Sequence, residues 1–255
     1  MAQIRPHDDT DDAMKRLGNL DEIIVKQHLM NFDVKGYKFS ICDSQNQQIM
    51  EAVEESDDSS SCWRLCCSRT RPLVLRINNN DHKTLMELKR PYRCSGPLCC
   101  CLQFLSLKSP SGFKLGEIKQ NMGNNQSFAV RYGSGTEVFT LIKDESSNTF
   151  KIKTKEKDVG ILQDLSHAFT EENKSGTTNE FKLSFSEKLS VSEKALILSA
   201  AFLIDMFYMD NGLLRTYNTN TMTGETIEIE FYNCKYTFTR WGPGFYEQVL
   251  INILF

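Results

Sequence analysis

The 255-residue chain carries 30 basic and 33 acidic side chains, a net charge of -3, and 40% hydrophobic residues. That supports one large or two modest domains with a core of their own, and the near-balanced charge leaves no electrostatic footprint for specific nucleic-acid binding. The opening MAQIRPHDDTDDAMKRL has no apolar stretch that could act as a secretory signal, which points to the cytosolic side, where thiols stay reduced.

Residues 1–16 read as a short, disordered acidic lead. From Leu20 onward, apolar residues alternate with polar ones between turn signals. Tyr37, Phe39 and Ile41 precede DSQN and QQIMEA; Leu73, Leu75 and Ile77 precede NNND and TLMEL. Leu105 and Leu107 lead through SPSG to FKLGEI, and Phe128, Val130 and Tyr132 lead through GSG to EVFTLI. Phe150 and Ile152 lead through KTKEK to Val159 and Ile161. Five strand–turn–strand units of similar length predict an antiparallel meander closed into a barrel or sandwich, a repeat of pattern and not of identity.

Residues 190–193, SVSE, form a capping box that opens a helix over about 191–209. Its body, ALILSAAFLIDMFYM, is apolar around its whole circumference, with Ala195, Leu198, Phe202 and Met209 along it and a single charge at Asp205. A helix without a polar face is buried on all sides, in lipid or in protein. A bilayer crossing needs about 20 apolar residues, and a central charge costs at least ~2.5 kcal/mol unless it is partnered. Length therefore favours a barrel of about ten to twelve strands with the helix threaded through it. In the tail, 210–255, TIEIEFYNCKYTFTRW alternates like one or two more strands, completing the barrel or packing outside it.

Two cysteine clusters flank the unit from Pro72 to Pro91. CWRLCC holds Cys62, Cys66 and Cys67; RCSGPLCCC holds Cys94, Cys99, Cys100 and Cys101. A hairpin between them brings the two clusters together. Three readings remain open: S-acylated thiols fixing one end of the barrel to a membrane, a tetrahedral zinc site, or inert buried thiols. The spacings match no familiar zinc motif. Arg64, Arg69, Arg71, Arg90 and Arg93 lie around the clusters and suit anionic head groups. Trp63 suits a membrane interface.

Several stretches in register resemble the phospholipid scramblase family over about residues 17–210: LGNLDEIIVKQ, YKFSICDSQNQQIMEAVEES, the cysteine pair before RPLVLRI, LKRPYRCSGPLCCCLQ, AFTEEN and ALILSAAFLIDMFYMD. The resemblance implies a mainly β protein, a closed antiparallel barrel of about 12 strands enclosing a hydrophobic C-terminal helix, as in the tubby-like fold. It also implies palmitoylation at the cysteine run, with Cys94 beside it, and calcium-activated, ATP-independent movement of phospholipids between leaflets at the cytoplasmic face of the plasma membrane. The family helix is often described as a single membrane span. Three departures stand out: a shorter cysteine run, no proline-rich N-terminal tail, and a chain that continues past the helix.

The family's calcium segment corresponds to EENKSGTTNEFK, 171–182. Read as a twelve-residue loop, it offers Glu171, Asn173 and Ser175 at positions one, three and five, and Gly176 at six. Lys182 occupies position twelve, where a bidentate carboxylate belongs, and Ser184 and Ser186 replace later aspartates; Glu180 and Glu187 are the carboxylates nearby. Fewer carboxylates and an added cation imply a dissociation constant of about 10⁻³ M or looser. A solvated surface loop is the alternative. His7, His28, His82 and His167 are scattered, with no paired-histidine metal motif, no nucleophile elbow and no phosphate-cradling loop. The basic turn KIKTKEK lies where some family members have a nuclear import signal, leaving a nuclear pool open. The expected function is lipid translocation without covalent chemistry, with phospholipid and membrane as partners and homo-oligomers open; the rival is an acylated lipid- or protein-binding scaffold without transport.

Overall fold

The computed structural model describes residues 11–28, 36–55, 71–93, 102–123, 126–165, 177–209, 227–231, 234–238 and 249–253. Helix α1 (Asp12–Asn19) precedes twelve strands: β1 (Glu22–His28), β2 (Lys38–Cys42), β3 (Gln48–Glu54), β4 (Leu73–Asn79), β5 (Thr84–Arg90) and β6 (Phe104–Lys108), then β7 (Lys114–Gln120), β8 (Ser127–Tyr132), β9 (Glu137–Lys143), β10 (Thr149–Lys153), β11 (Asp158–Asp164) and β12 (Thr177–Phe185). Each strand pairs antiparallel with its chain neighbours, and β12 pairs back onto β1, so the sheet closes as a barrel with no free edge.

The five units legible in the sequence are the hairpins β2–β3, β4–β5, β6–β7, β8–β9 and β10–β11. Each shifts register beside its turn, at Ile41/Cys42, Ile77/Asn78, Leu107/Lys108, Val130/Arg131 and Ile152/Lys153. An extra residue there sharpens the twist, and repeating it five times curls the sheet shut.

Helix α2 (Val191–Ile204) runs down the barrel and passes into a π-helical turn, Asp205–Met209. Its start is the expected capping box: Ser190 Oγ accepts from the Glu193 N–H at 3.3 Å, and Glu193 Oε2 accepts from the Ser190 N–H at 2.7 Å. Residues 194–204 are all buried. Phe202 meets Phe39 and Phe181 edge-on, with ring centroids 5.2 and 5.8 Å away. Lys194 is 3% exposed, and its ammonium donates to the Gly18 carbonyl at 2.8 Å and to the Leu20 carbonyl. Burial pushes its pKa down against the pull of Asp21. The helix is thus plugged into protein. Among the described residues no helix is long and apolar enough to cross a membrane. The barrel wall is apolar inside, while Lys26, Arg76, Glu87, Lys89, Lys119, Arg131 and Lys151 stand on outward positions with partial or full exposure. That is the reverse of a membrane-spanning barrel, whose outer surface carries an apolar band.

The acidic lead contains more order than expected: residues 12–19 are helical, and residues 1–10 lie outside the described residues. Asp11 caps α1 by accepting from the Ala13 N–H at 3.0 Å, and Ala13 and Leu17, spaced i and i+4, turn into the core. Arg16 donates to Gln47 at 3.0 Å, and Asn79 donates to Asp11 at 3.1 Å, holding α1 across one mouth of the barrel. In the tail, β13 (Ile227–Phe231), β14 (Cys234–Phe238) and β15 (Val249–Ile253) form a separate antiparallel sheet and do not extend the barrel.

Gly116 of β7 marks the tightest approach of α2 to the wall. A Cβ there would run into the Leu196 side chain and stand 2.6 Å from the Arg131 carbonyl oxygen on the neighbouring strand. Gly116→Ala is expected to destabilise the protein by about 1–3 kcal/mol, the usual range for overpacking. A lower urea midpoint at unchanged m-value would show it; an unshifted midpoint would mean the helix does not press on this strand.

Candidate functional site at the loop rim

An even number of up-and-down strands sorts the connections between two ends. One end, the turn rim, holds the five hairpin turns, α1 and the entry to α2. The other, the loop rim, holds every connection from an odd strand to the next even one, together with the exit of α2 at Asp205. Glu55 and Arg71 lie there, as do Arg93 and Leu102, and Leu165 and Thr177. Cys62, Cys66, Cys67, Cys94, Cys99, Cys100 and Cys101 fall in the connections between the first two of these pairs, and Glu171, Asn173 and Ser175 in the third; all lie outside the described residues. One rim therefore bounds both cysteine clusters, the calcium-like segment and the end of the apolar helix.

The loop rim is lined inside by polar groups, and two of them correct the sequence reading: Arg71 and Arg90, expected to suit anionic head groups, are buried and turn inward. Glu54 and Arg71 are 2% and 4% exposed at the side chain and form a two-point ion pair, with Arg71 Nη2 3.2 Å from Glu54 Oε2. The Tyr37 N–H donates to the same carboxylate at 2.8 Å, and the guanidinium lies 4.9 Å from the Tyr37 ring centre. Burial works against the charge on Arg71, but Glu54 and Tyr37 outweigh it and raise the pKa. Arg90 donates to Gln103 at 2.7 Å, and the Gln103 N–H donates to Gln120 at 3.0 Å. Gln27, Asn179 and Asp205 are buried on the same side. Each strand residue continues its strand's inward alternation, as Gln27 after Ile23 and Val25, or Arg90 after Met86 and Leu88. That period of two was a signal available in the sequence.

The predicted helix residues Ala195, Leu198 and Phe202 are buried in the barrel, and Asp205, 2% exposed, sits where α2 gives way to the π turn. Met209 ends that turn. The second half of the 171–182 stretch is strand and not loop. Thr177 opens β12, and Glu180 Oε2 lies 3.9 Å from Lys26 Nζ on β1. Glu22 accepts from both Lys182 and Ser184 at 3.2 Å. Two carboxylates, each already paired with a lysine, are a poor donor set for a hard cation, which calls for several free oxygens. Among the described residues no group of three or more His, Cys, Asp or Glu side chains could hold a metal ion.

Residues 1–211 match the Scramblase family. The chain belongs to that family. Phospholipid scramblase 1 of Mus musculus is 30% identical over 228 residues, covering 83% of this chain and 67% of that protein. Phospholipid scramblase 1 of Homo sapiens is 28% identical (78% of this chain, 66% of that protein), and phospholipid scramblase 2 of Homo sapiens is 26% identical (78% and 70%). The chain thus spans about two thirds of the length of these relatives. No solved structure matches it. The family match stops before β13, so the tail sheet lies beyond it.

His28 ends β1 at this rim. Ser40 Oγ donates to Gln48 Oε1 at 2.7 Å, so the His28 Nε2 contact to Ser40, also 2.7 Å, has the imidazole as donor. Burial, then Lys38 and Lys26, lowers the His28 pKa. As pH falls through the ordinary histidine value of about 6.5, the unfolded chain takes up a proton that the folded state still refuses, and stability drops. Denaturant titrations at pH 7.5 and 5.5 should show that loss. His28→Gln, which keeps a donor to Ser40, should make it shallower; equal slopes would show that His28 is not the titrating group.

Proposed function

We propose that the protein moves phospholipids between the leaflets of a membrane without covalent chemistry, while held at the cytoplasmic face by acyl chains on the loop-rim cysteines. The observation that carries this reading is the family match over residues 1–211. It is supported by the sorting of connections, which assigns Cys62, Cys66, Cys67, Cys94 and Cys99–Cys101 to segments bounded by one rim. Thioester-linked palmitate at Cys99, Cys100 and Cys101, with Cys94 beside them, would give the several chains that stable anchoring requires; zinc on the same thiols is the alternative chemistry. Calcium enters this reading as a weak activator, at about 10⁻³ M, with its ligands sought in Glu171, Asn173 and Ser175. The plasma membrane is the compartment proposed, with a nuclear pool when the thiols stay unacylated, and oligomers the route to a larger path.

A second reading has its own observation. Helix α2 is enclosed by the barrel, and the barrel exterior is charged, so the described residues present no apolar surface of bilayer thickness. An acylated scaffold that recognises lipid or protein at the surface fits that geometry without transport.

Reconstitution separates the two. With purified protein in liposomes and millimolar calcium, reduction of a leaflet-labelled lipid by an impermeant reagent should run past the outer-leaflet half. If it stops at half, transport is lost and the scaffold reading stands. Replacing Cys99, Cys100 and Cys101 with Ala should move the protein in cells from the membrane to the soluble or nuclear fraction, and hydroxylamine should do the same to the unaltered chain. Stoichiometric zinc with membrane partition unchanged would overturn acylation.

A further inference from the structure

Beyond its cysteines, the loop rim carries a patch on the outer ends of β5, β6 and β7. Among the described residues four large hydrophobic side chains are exposed, and two of them, Tyr92 at 49% and Met122 at 74%, stand at the loop-rim ends of β5 and β7. Phe113 lies in a turn at the opposite rim, and Ile161 on the wall at β11. Between the first two, Arg93 lies 6.0 Å over the ring of Phe104, and Phe104 is the cross-strand partner of Lys119. Lys89, paired with Ser106, completes the group, and both lysines are exposed. Among the described residues Lys89 and Lys119 form no ion pair, and no acidic residue occurs in 88–93, 102–107 or 118–123, whereas other exposed lysines of the barrel do pair with a carboxylate, as Lys114 does with Glu117 and Lys157 with Glu187.

We propose that this patch docks the barrel onto an anionic lipid surface, with Lys89, Arg93 and Lys119 at head-group level and the Tyr92 and Met122 side chains entering the interface. The inference rests on the reading that the loop rim faces a membrane, and it names the residues that recognise it. Three observations favour lipid over protein. Lysine is depleted in the cores of protein interfaces, while basic residues near an anionic leaflet each contribute about 1 kcal/mol. The apolar tips are two separate side chains at a rim and form no contiguous face. The patch also lies at Arg93, where the chain enters segment 94–101, the stretch that the proposed function acylates. Tyrosine, apolar in body and polar at its tip, suits that depth.

The test uses the full chain, stripped of thioester-linked acyl groups with hydroxylamine, and vesicles of phosphatidylcholine alone or with phosphatidylserine added. The unaltered chain should bind the anionic vesicles more tightly, and the difference should shrink as ionic strength rises from about 0.1 to about 1 M. Lys89→Gln with Lys119→Gln should weaken anionic binding about 25-fold, two contributions of about 1 kcal/mol at 1.4 kcal/mol per decade, and leave binding to phosphatidylcholine unchanged. Tyr92→Ser with Met122→Ser should weaken binding to both compositions, most visibly at high salt. The turn-rim pair Lys155→Gln with Lys157→Gln should stay within about twofold of the unaltered chain. Equal losses from both lysine pairs, or no loss from Lys89→Gln with Lys119→Gln, would overturn the patch. So would a chain that binds neither vesicle but self-associates through these residues in sedimentation. Leaflet exchange scored in the same vesicles keeps the two ideas apart: exchange lost with binding intact counts against transport alone, and the loss of lysine dependence with exchange intact counts against the patch alone.

Discussion

The mutual burial of α2 and the barrel interior governs the rest of the molecule. A helix apolar on every side has no stable place at a protein surface, and a closed sheet of twelve strands is too wide to fill with its own side chains alone. Each solves the other's problem. Phe39, Phe181 and Phe202 form the contact at depth, and Gly116 gives up its side chain so that Leu196 can reach the wall. The closing pair β1–β12 joins residues as far apart as Glu22 and Ser184, and Lys194 then fastens the helix entry to the Gly18 and Leu20 carbonyls. Closure of this kind depends on contacts of long sequence separation, which form late and together.

Barrel closure also produces the asymmetry on which function draws. Because neighbouring strands alternate in direction, the even-to-odd turns collect at one mouth, and the odd-to-even connections, the long cysteine-bearing ones among them, at the other. The turn rim is covered by α1, through Asp11, Arg16 and Leu17. The loop rim is sealed from within by polar pairs instead, Glu54 with Arg71 and Arg90 with Gln103. A buried ion pair of that kind is weak evidence of added stability, because its desolvation cost offsets much of the attraction. Its placement is the informative part: Glu54 and Arg90 stand at the last inward positions of β3 and β5, and Arg71 and Gln103 just before β4 and β6, where hydrocarbon packing gives way to the connections that carry the cysteines.

Much of this was legible in the sequence. Alternating apolar residues in 37–54, 73–90, 104–120, 127–143 and 149–164 correspond to five hairpins, and the capping box at Ser190 and Glu193 marks the start of α2. The absence of a polar face called for burial on all sides, and a run too short for a bilayer pointed to a plugged barrel. Other features were hidden by competing signals. The acidic character of 8–12 masked a helix whose only apolar requirement is met by Ala13 and Leu17. In 171–182 the polar composition resembled a loop, yet Phe181 and the following Leu183 belong to an inward alternation, and the outward Glu180 and Lys182 pair with Lys26 and Glu22 of β1. The tail shows three strands where one or two were expected, because the third, VLINI, is a short apolar run broken only by Asn252, too short for its periodicity to separate strand from helix.

By itself, the sequence determined the elements: side chains spaced by two or spread around a helix fix what each segment must bury, and that is a local property. Only the tertiary structure decided which ends of those elements share a rim, that Lys182 and Ser184 meet Glu22, and that Arg93, Lys119 and Phe104 come together on one surface. Those are relations between residues far apart along the chain, set by strand order and closure, and no spacing along a single segment contains them.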